Sequence, residues 1–225
     1  MRLVAFLLLA TVLASALLAA FPAIDLATAA LFYNGTTFPI AAIRPVEALR
    51  MTLYIGEQLA FLVVLALALL NRPFLNLSPR EWLYQLLIFL CGPGIIVNGI
   101  LKRIWGRARP FQTTEFGGTQ NFTRAWEINP GGSGNSSFVS GEMAGATALA
   151  ICLLLILRAN QQRLGTVCYR LGIAATLSLP LFTAWQRMAA GRHFLSDVVI
   201  AALLIGLLAA VLRFSLFRNR LKRPA

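Results

Sequence analysis

The chain contains a single histidine, His193, and Asp197 stands four residues after it. At that spacing two side chains share one face of a helix. A carboxylate so placed can accept a hydrogen bond from one ring nitrogen and fix the tautomer. The other nitrogen is then free to attack an electrophile. A histidine and aspartate that merely cap and solvate an interfacial turn would give the same pair. Two basic clusters accompany it: Lys102-Arg103-Ile104-Trp105-Gly106-Arg107-Ala108-Arg109-Pro110, and Arg187 through Arg192. Between them lies Ser137-Phe138-Val139-Ser140-Gly141-Glu142, at the head of an apolar run. Nucleophilic chemistry at an anionic centre is the reaction type these residues could share.

The elements that must position them are apolar runs at about 3–21, 51–70, 82–101, 141–157, 165–185 and 193–217. Roughly 20 apolar residues span a bilayer as a helix, so six spans are predicted. The first run, preceded by Arg2, also fits a cleaved signal peptide, but its length favours a retained helix. Six spans put both termini on one side. The basic tail (Arg213, Arg218, Arg220, Lys222, Arg223) marks that side as cytoplasmic. Lysines and arginines then divide 11 to nine, a weak bias. The nine on the far side are concentrated at 102–109 and 187–192. Charge that runs against the topology rule there suggests an anion-binding site.

The one sizeable polar segment, about 102–140, joins spans three and four. Seven of the 17 glycines lie in it or at its end: Gly106, Gly117, Gly118, Gly131, Gly132, Gly134 and Gly141. Glycine permits close backbone approach to a ligand, although a flexible connector would look the same. Gly131–Gly134 is no Walker loop, because no Gly-Lys-Ser/Thr follows. Glycosylation triplets begin at Asn34, Asn121 and Asn135 and carry little weight.

The 225 residues are 58% hydrophobic and 12% charged, which points to one integral membrane domain over 1–225. The net charge of +12 would suggest nucleic acid in a soluble protein, but here basic residues flank apolar spans. Nucleic acid is therefore excluded as a partner; the bilayer is the expected one. Cys91, Cys152 and Cys168 show no paired spacing, and one histidine cannot build a His cluster. Neither metal nor cofactor is expected. Glu57 sits inside the second run, where charge is expensive and often functional, and is an unassigned candidate.

The pattern resembles the type 2 phosphatidic acid phosphatase superfamily, whose motifs are Lys-x6-Arg-Pro, Pro-Ser-Gly-His and Ser-Arg-x5-His-x3-Asp. Lys102, Arg109 and Pro110 match the first. Ser140 and Gly141 match the second, with Val139 for proline and Glu142 for histidine. Arg187, His193 and Asp197 match the third, with Gln186 for serine. The resemblance implies an all-α bundle of six transmembrane helices with a polar extracytoplasmic loop between helices 3 and 4. It also implies a metal-independent lipid phosphatase that forms a phosphohistidine on His193, oriented by Asp197.

On this likeness Lys102, Arg109 and Arg187 clamp the phosphate oxygens, and the Ser140-Gly141 backbone adds donors at a helix start. Glu142 stands where the family's histidine protonates the leaving alkoxide, and it could do that or simply cap the helix. The loop with Phe116-Gly117-Gly118 and the Ser-Phe-Val-Ser-Gly-Glu stretch resemble bacterial branches near the lipid A phosphatases. The substrate would be a phosphorylated lipid such as lipid A, with phosphatidylglycerol phosphate, undecaprenyl pyrophosphate and phosphatidate also open. The site would face the periplasm from a bacterial inner membrane. A phosphotransferase between lipids, or a weakly catalytic relative that binds or moves lipid phosphates, would carry the same motifs.

Overall fold

A computed structural model describes residues 1–129 and 136–218. Gly131, Gly132, Gly134 and Asn135, and Arg220, Lys222 and Arg223, lie outside the described residues. Six helices are long and apolar enough to cross a membrane. They are α1 (Arg2–Ala20), α3 (Arg44–Leu70), α4 (Pro79–Ile104), α5 (Gly141–Ala159), α6 (Gln161–Ala189) and α7 (Leu195–Phe217). A short α2 (Ala23–Ala30) follows the first. The described residues form no strand, only isolated bridges. The all-α, six-span expectation therefore holds.

The helix ends differ from the apolar runs for local reasons. Helix α3 starts seven residues early because Pro45 suits a first turn, where no N–H partner is needed. Glu47 and Arg50 pair one turn apart at 2.6 Å and make that polar extension self-satisfying. Helix α6 reaches back to Gln161 across a kink at Gly165, whose φ is +71°. Within α4, residues Pro79–Phe89 are regular, but Leu90–Leu101 form a π-helix that contains Pro93. Proline lacks the N–H that a regular ladder needs at that point.

Helix α5 lies at the centre and packs on α3, α4, α6 and α7. Its buried face is Ala144, Gly145, Ala146, Ala148 and Ala150. Small residues let backbones approach closely, which is the usual basis of helix contact in lipid. Leu8, Leu9, Leu13, Leu59, Leu62 and Val63 of α1 and α3 point outward, as lipid-facing residues would.

Chain order brings loops 21–43, 105–129 and 190–194 to the same end of the bundle. Phe38, Phe116 and Phe194, one from each loop, share a buried cluster with Tyr33. The Phe38 and Phe116 rings meet at 5.4 Å. Gly191 holds a φ of +65°, and a Cβ there would strike the Phe38 ring. Only glycine serves at that corner, and it sets the approach to His193.

Candidate active site

His193 lies in the turn between α6 and α7, buried, with its Nδ1 3.5 Å from Asp197 Oδ2. The contact is long for a hydrogen bond, as catalytic contacts often are before substrate binds. Ser137 Oγ stands 3.4 Å from the same nitrogen and donates to Asp197 Oδ2 at 2.5 Å. Nδ1 is the ring nitrogen turned toward Asp197, and Nε2 is the one turned away from it. Burial, the largest influence, holds the imidazole pKa below its ordinary value. The hydrogen bond to Asp197 opposes the shift, and the positive charges of Lys102 and Arg109 add to it. The balance favours the neutral ring.

Asp197 is completely buried and satisfied on every side. Its Oδ2 also accepts the Phe194 amide at 2.8 Å, closing the first turn of α7. Arg107 Nη1 reaches its Oδ1 at 2.6 Å. The helix-cap and orienting functions thus coexist in one carboxylate rather than excluding each other.

Arg107, from the first basic cluster, is the hub behind the histidine. Its guanidinium is fully buried and donates to Asp197, to Ser196 Oγ at 2.7 Å, to Thr123 O at 2.9 Å and to Asp25 Oδ2 at 2.8 Å. The Phe194 ring covers it at 4.5 Å. Asp25 reaches in from α2, and its Oδ1 accepts the Ser196 amide at 2.8 Å, so it caps α7 from outside. The Arg107 backbone amide donates to Ser136 Oγ at 2.9 Å, and its carbonyl accepts from Ser137 N at 2.8 Å. These bonds dock the second motif against the first.

The phosphate-binding candidates gather in front of this hub. A Cβ on Gly141 would lie 3.3 Å from Lys102 Nζ, so the first and second motifs touch. Arg109 caps a short 3₁₀ turn (Pro110–Gln112), its amide donating to Gln112 Oε1 at 2.9 Å. Arg187 Nη1 pairs with Glu142 Oε1 at 2.7 Å. Ser140 requires a correction. Its amide donates to Asp197 O at 3.1 Å and its Oγ caps Met143 N at 3.3 Å, so it fixes the turn between motifs. The next amides at the helix start are those of Gly141 and Glu142.

Glu142 does not cap the helix, because Ser140 does. Its carboxylate bridges Arg187 and Arg50, the latter at 3.1 Å. Gln186, another departure from the family pattern, accepts Arg187 Nε at 2.8 Å through Oε1. Two of the three substituted motif positions, Glu142 and Gln186, therefore end on Arg187 and set its orientation. Arg50 of α3 belongs to this arrangement. So do Asp25 and Ser137, to which the sequence assigned no role. Among the described residues no group of three or more His, Cys, Asp or Glu side chains is placed to hold a metal.

Residues 81–222 match the PAP2 superfamily. A lipid A 4'-phosphatase of Rhizobium etli is 32% identical over 200 residues, covering 80% of this chain and 74% of that protein. A lipid A 4'-phosphatase of Rhizobium leguminosarum is 41% identical over 112 residues, 49% of this chain and 44% of that protein. One from Francisella tularensis subsp. novicida is 28% identical over 165 residues, 71% of each chain. No solved structure matches significantly. The matched region contains all three motifs around His193, and the chain belongs to the PAP2 superfamily, as a membrane lipid phosphatase of the phosphoric monoester hydrolase class.

Proposed function

We propose that this enzyme hydrolyses the phosphate monoester of a lipid A-type glycolipid through a phosphohistidine. The carrying observation is the buried His193, held on Asp197 and Ser137, beside the cations Lys102, Arg109 and Arg187. His193 Nε2 attacks phosphorus and forms a P–N bond as the bond to the lipid oxygen breaks. The departing alkoxide takes a proton. Water then attacks phosphorus, the P–N bond breaks, and inorganic phosphate leaves with the histidine restored. Three cations and the amides of Gly141 and Glu142 stabilise the charge on the equatorial oxygens. Asp197 steadies the imidazole throughout.

The lipid A assignment rests on the names and coverage of the relatives. Glu142, next to Arg187, is the carboxyl nearest the clamp and the proposed source of the leaving-group proton. The test is phosphate release by purified protein, in EDTA, from 4'-phosphorylated lipid A, phosphatidate, undecaprenyl pyrophosphate and p-nitrophenyl phosphate. Lipid A should be the best lipid substrate. Glu142→Gln should lose about 10²–10⁴-fold on lipid and much less on p-nitrophenyl phosphate, whose leaving group needs no proton. Equal losses would leave Glu142 as a strut for Arg187 only. Activity lost to EDTA and restored by a divalent cation would overturn the metal-free scheme. Phosphate appearing on a second lipid instead of in solution would make the enzyme a phosphotransferase.

We also propose that the site faces the periplasm from a bacterial inner membrane, on the strength of the even span count and the basic residues of the opposite end. In a background lacking Cys91, Cys152 and Cys168, Thr119→Cys should react with an impermeant thiol reagent applied from outside. Gln162→Cys should not, and the reverse pattern would invert the orientation.

A further inference from the structure

Glu57 lies midway along α3, inside a membrane span, and only 5% of it is exposed. Among the described residues it makes no hydrogen bond and no ion pair. Intramembrane carboxyl groups are rare, and as a rule they have a partner or a function. Glu57 lines a cavity of about 330 Å³ between α3, α4 and α5. Lys102, Gly141 and Glu142 line the same cavity, so it opens directly off the phosphate clamp.

The walls of the cavity are shaped for close approach. A Cβ on Gly145 would collide with Glu57 Oε2, so glycine there is what lets the carboxyl lie against α5. Gly145 stands one helical turn deeper than Glu142. The opposite wall is the π-helical part of α4, an irregularity frequent at functional sites. In it Asn98 Nδ2 donates to Pro93 O at 2.7 Å. Tyr54 and Gln58 of α3 complete the polar side, and Phe61 and Phe89 form the apolar floor. The cavity runs from Lys102 and Glu142 at the clamp, through hydrogen-bonding groups, to the Phe61 and Phe89 rings. A phosphorylated lipid has the same order of phosphate, headgroup and acyl chain.

We propose that this cavity is the subsite for the sugar ring that bears the scissile phosphate, with Glu57 and Asn98 as its hydrogen-bonding determinants. The proposal rests on the glycolipid reading above and names the part of the enzyme that makes that choice. A carboxyl group in either protonation state keeps an acceptor oxygen that needs a donor. Hydroxyl and amide N–H groups of an amino sugar supply donors at that depth. The esterified glycerol of phosphatidate supplies only carbonyl acceptors. The volume lies within the range of small-molecule sites.

The experiment compares kcat/KM on 4'-phosphorylated lipid A and on phosphatidate, in mixed micelles, for wild type, Glu57→Leu and Glu57→Gln. Leucine keeps the packing and removes every acceptor. It should lower the lipid A value about 10- to 100-fold, mostly through KM, and so shift the preference toward phosphatidate. Glutamine keeps an acceptor and should show a smaller shift in the same direction, which also serves if the leucine variant does not fold. Proportionate losses on both lipids, or none on either, would remove the sugar subsite while leaving the lipid A reading intact. A wild type that cleaves phosphatidate and not lipid A would remove both.

Discussion

His193→Ala is expected to reduce phosphate release by about 10⁴- to 10⁶-fold, the range seen when a covalent nucleophile is removed. The chain has no second histidine to substitute for it. Asp197 would keep Arg107, Ser137 and the Phe194 amide as partners, so the fold should survive. Phosphate capture should survive too, since Lys102, Arg109 and Arg187 are untouched. Retention of more than about a thousandth of the wild-type rate would rule out attack by His193. A pH profile supplies a second reading. Burial lowers the pKa of His193, so the ring stays neutral further into acid than a free histidine. The acid limb of kcat/KM should therefore fall below about pH 6.5. The same shift makes the folded protein lose stability as pH drops below the unfolded value, because the unfolded chain then binds the extra proton.

Arg107→Met carries the second large effect. Arg107 joins two buried carboxylates, Asp25 and Asp197, and its own side chain has no exposed surface. Removing one partner of a buried ionic network strands the others, at about 3–5 kcal/mol. Activity should fall as well, because Asp197 loses the contact that fixes its Oδ1. Adding Asp25→Asn should restore part of the stability by neutralising one stranded group, with little return of activity. Unfolding in detergent measures the first effect and phosphate release the second. An Arg107→Met protein within about 1 kcal/mol of wild type would refute the hub.

The spans were readable because about 20 apolar residues in a row have few alternatives. The histidine pair was readable because four residues make one helical turn. Arg107 was not, because it is the same residue type as Arg109 two positions later, and only burial separates their work. Asp25 sits in Ala-Ile-Asp-Leu-Ala-Thr-Ala-Ala, a stretch that signals nothing, and its partner lies 82 residues away. Long-range pairs of this kind leave no mark on a single sequence. Ser140 shows the opposite error, since a motif position that pointed to the ligand holds the scaffold instead. Glu57 was conspicuous as a charge in an apolar run, but its cavity depends on the π-turns of α4 and on Gly145.

The Asp25–Arg107–Asp197 chain also fixes when this enzyme can become an enzyme. Its members are contributed before, between and after the inner spans, and the last belongs to α7, which is made after the other five spans. Until α7 is inserted, Asp25 and Arg107 lack the carboxylate and the Ser196 groups they close upon. A nascent chain of five spans therefore leaves this network open at the loop end. Insertion of α7 brings Ser196 and Asp197 to it together, so the support behind His193 closes in one step.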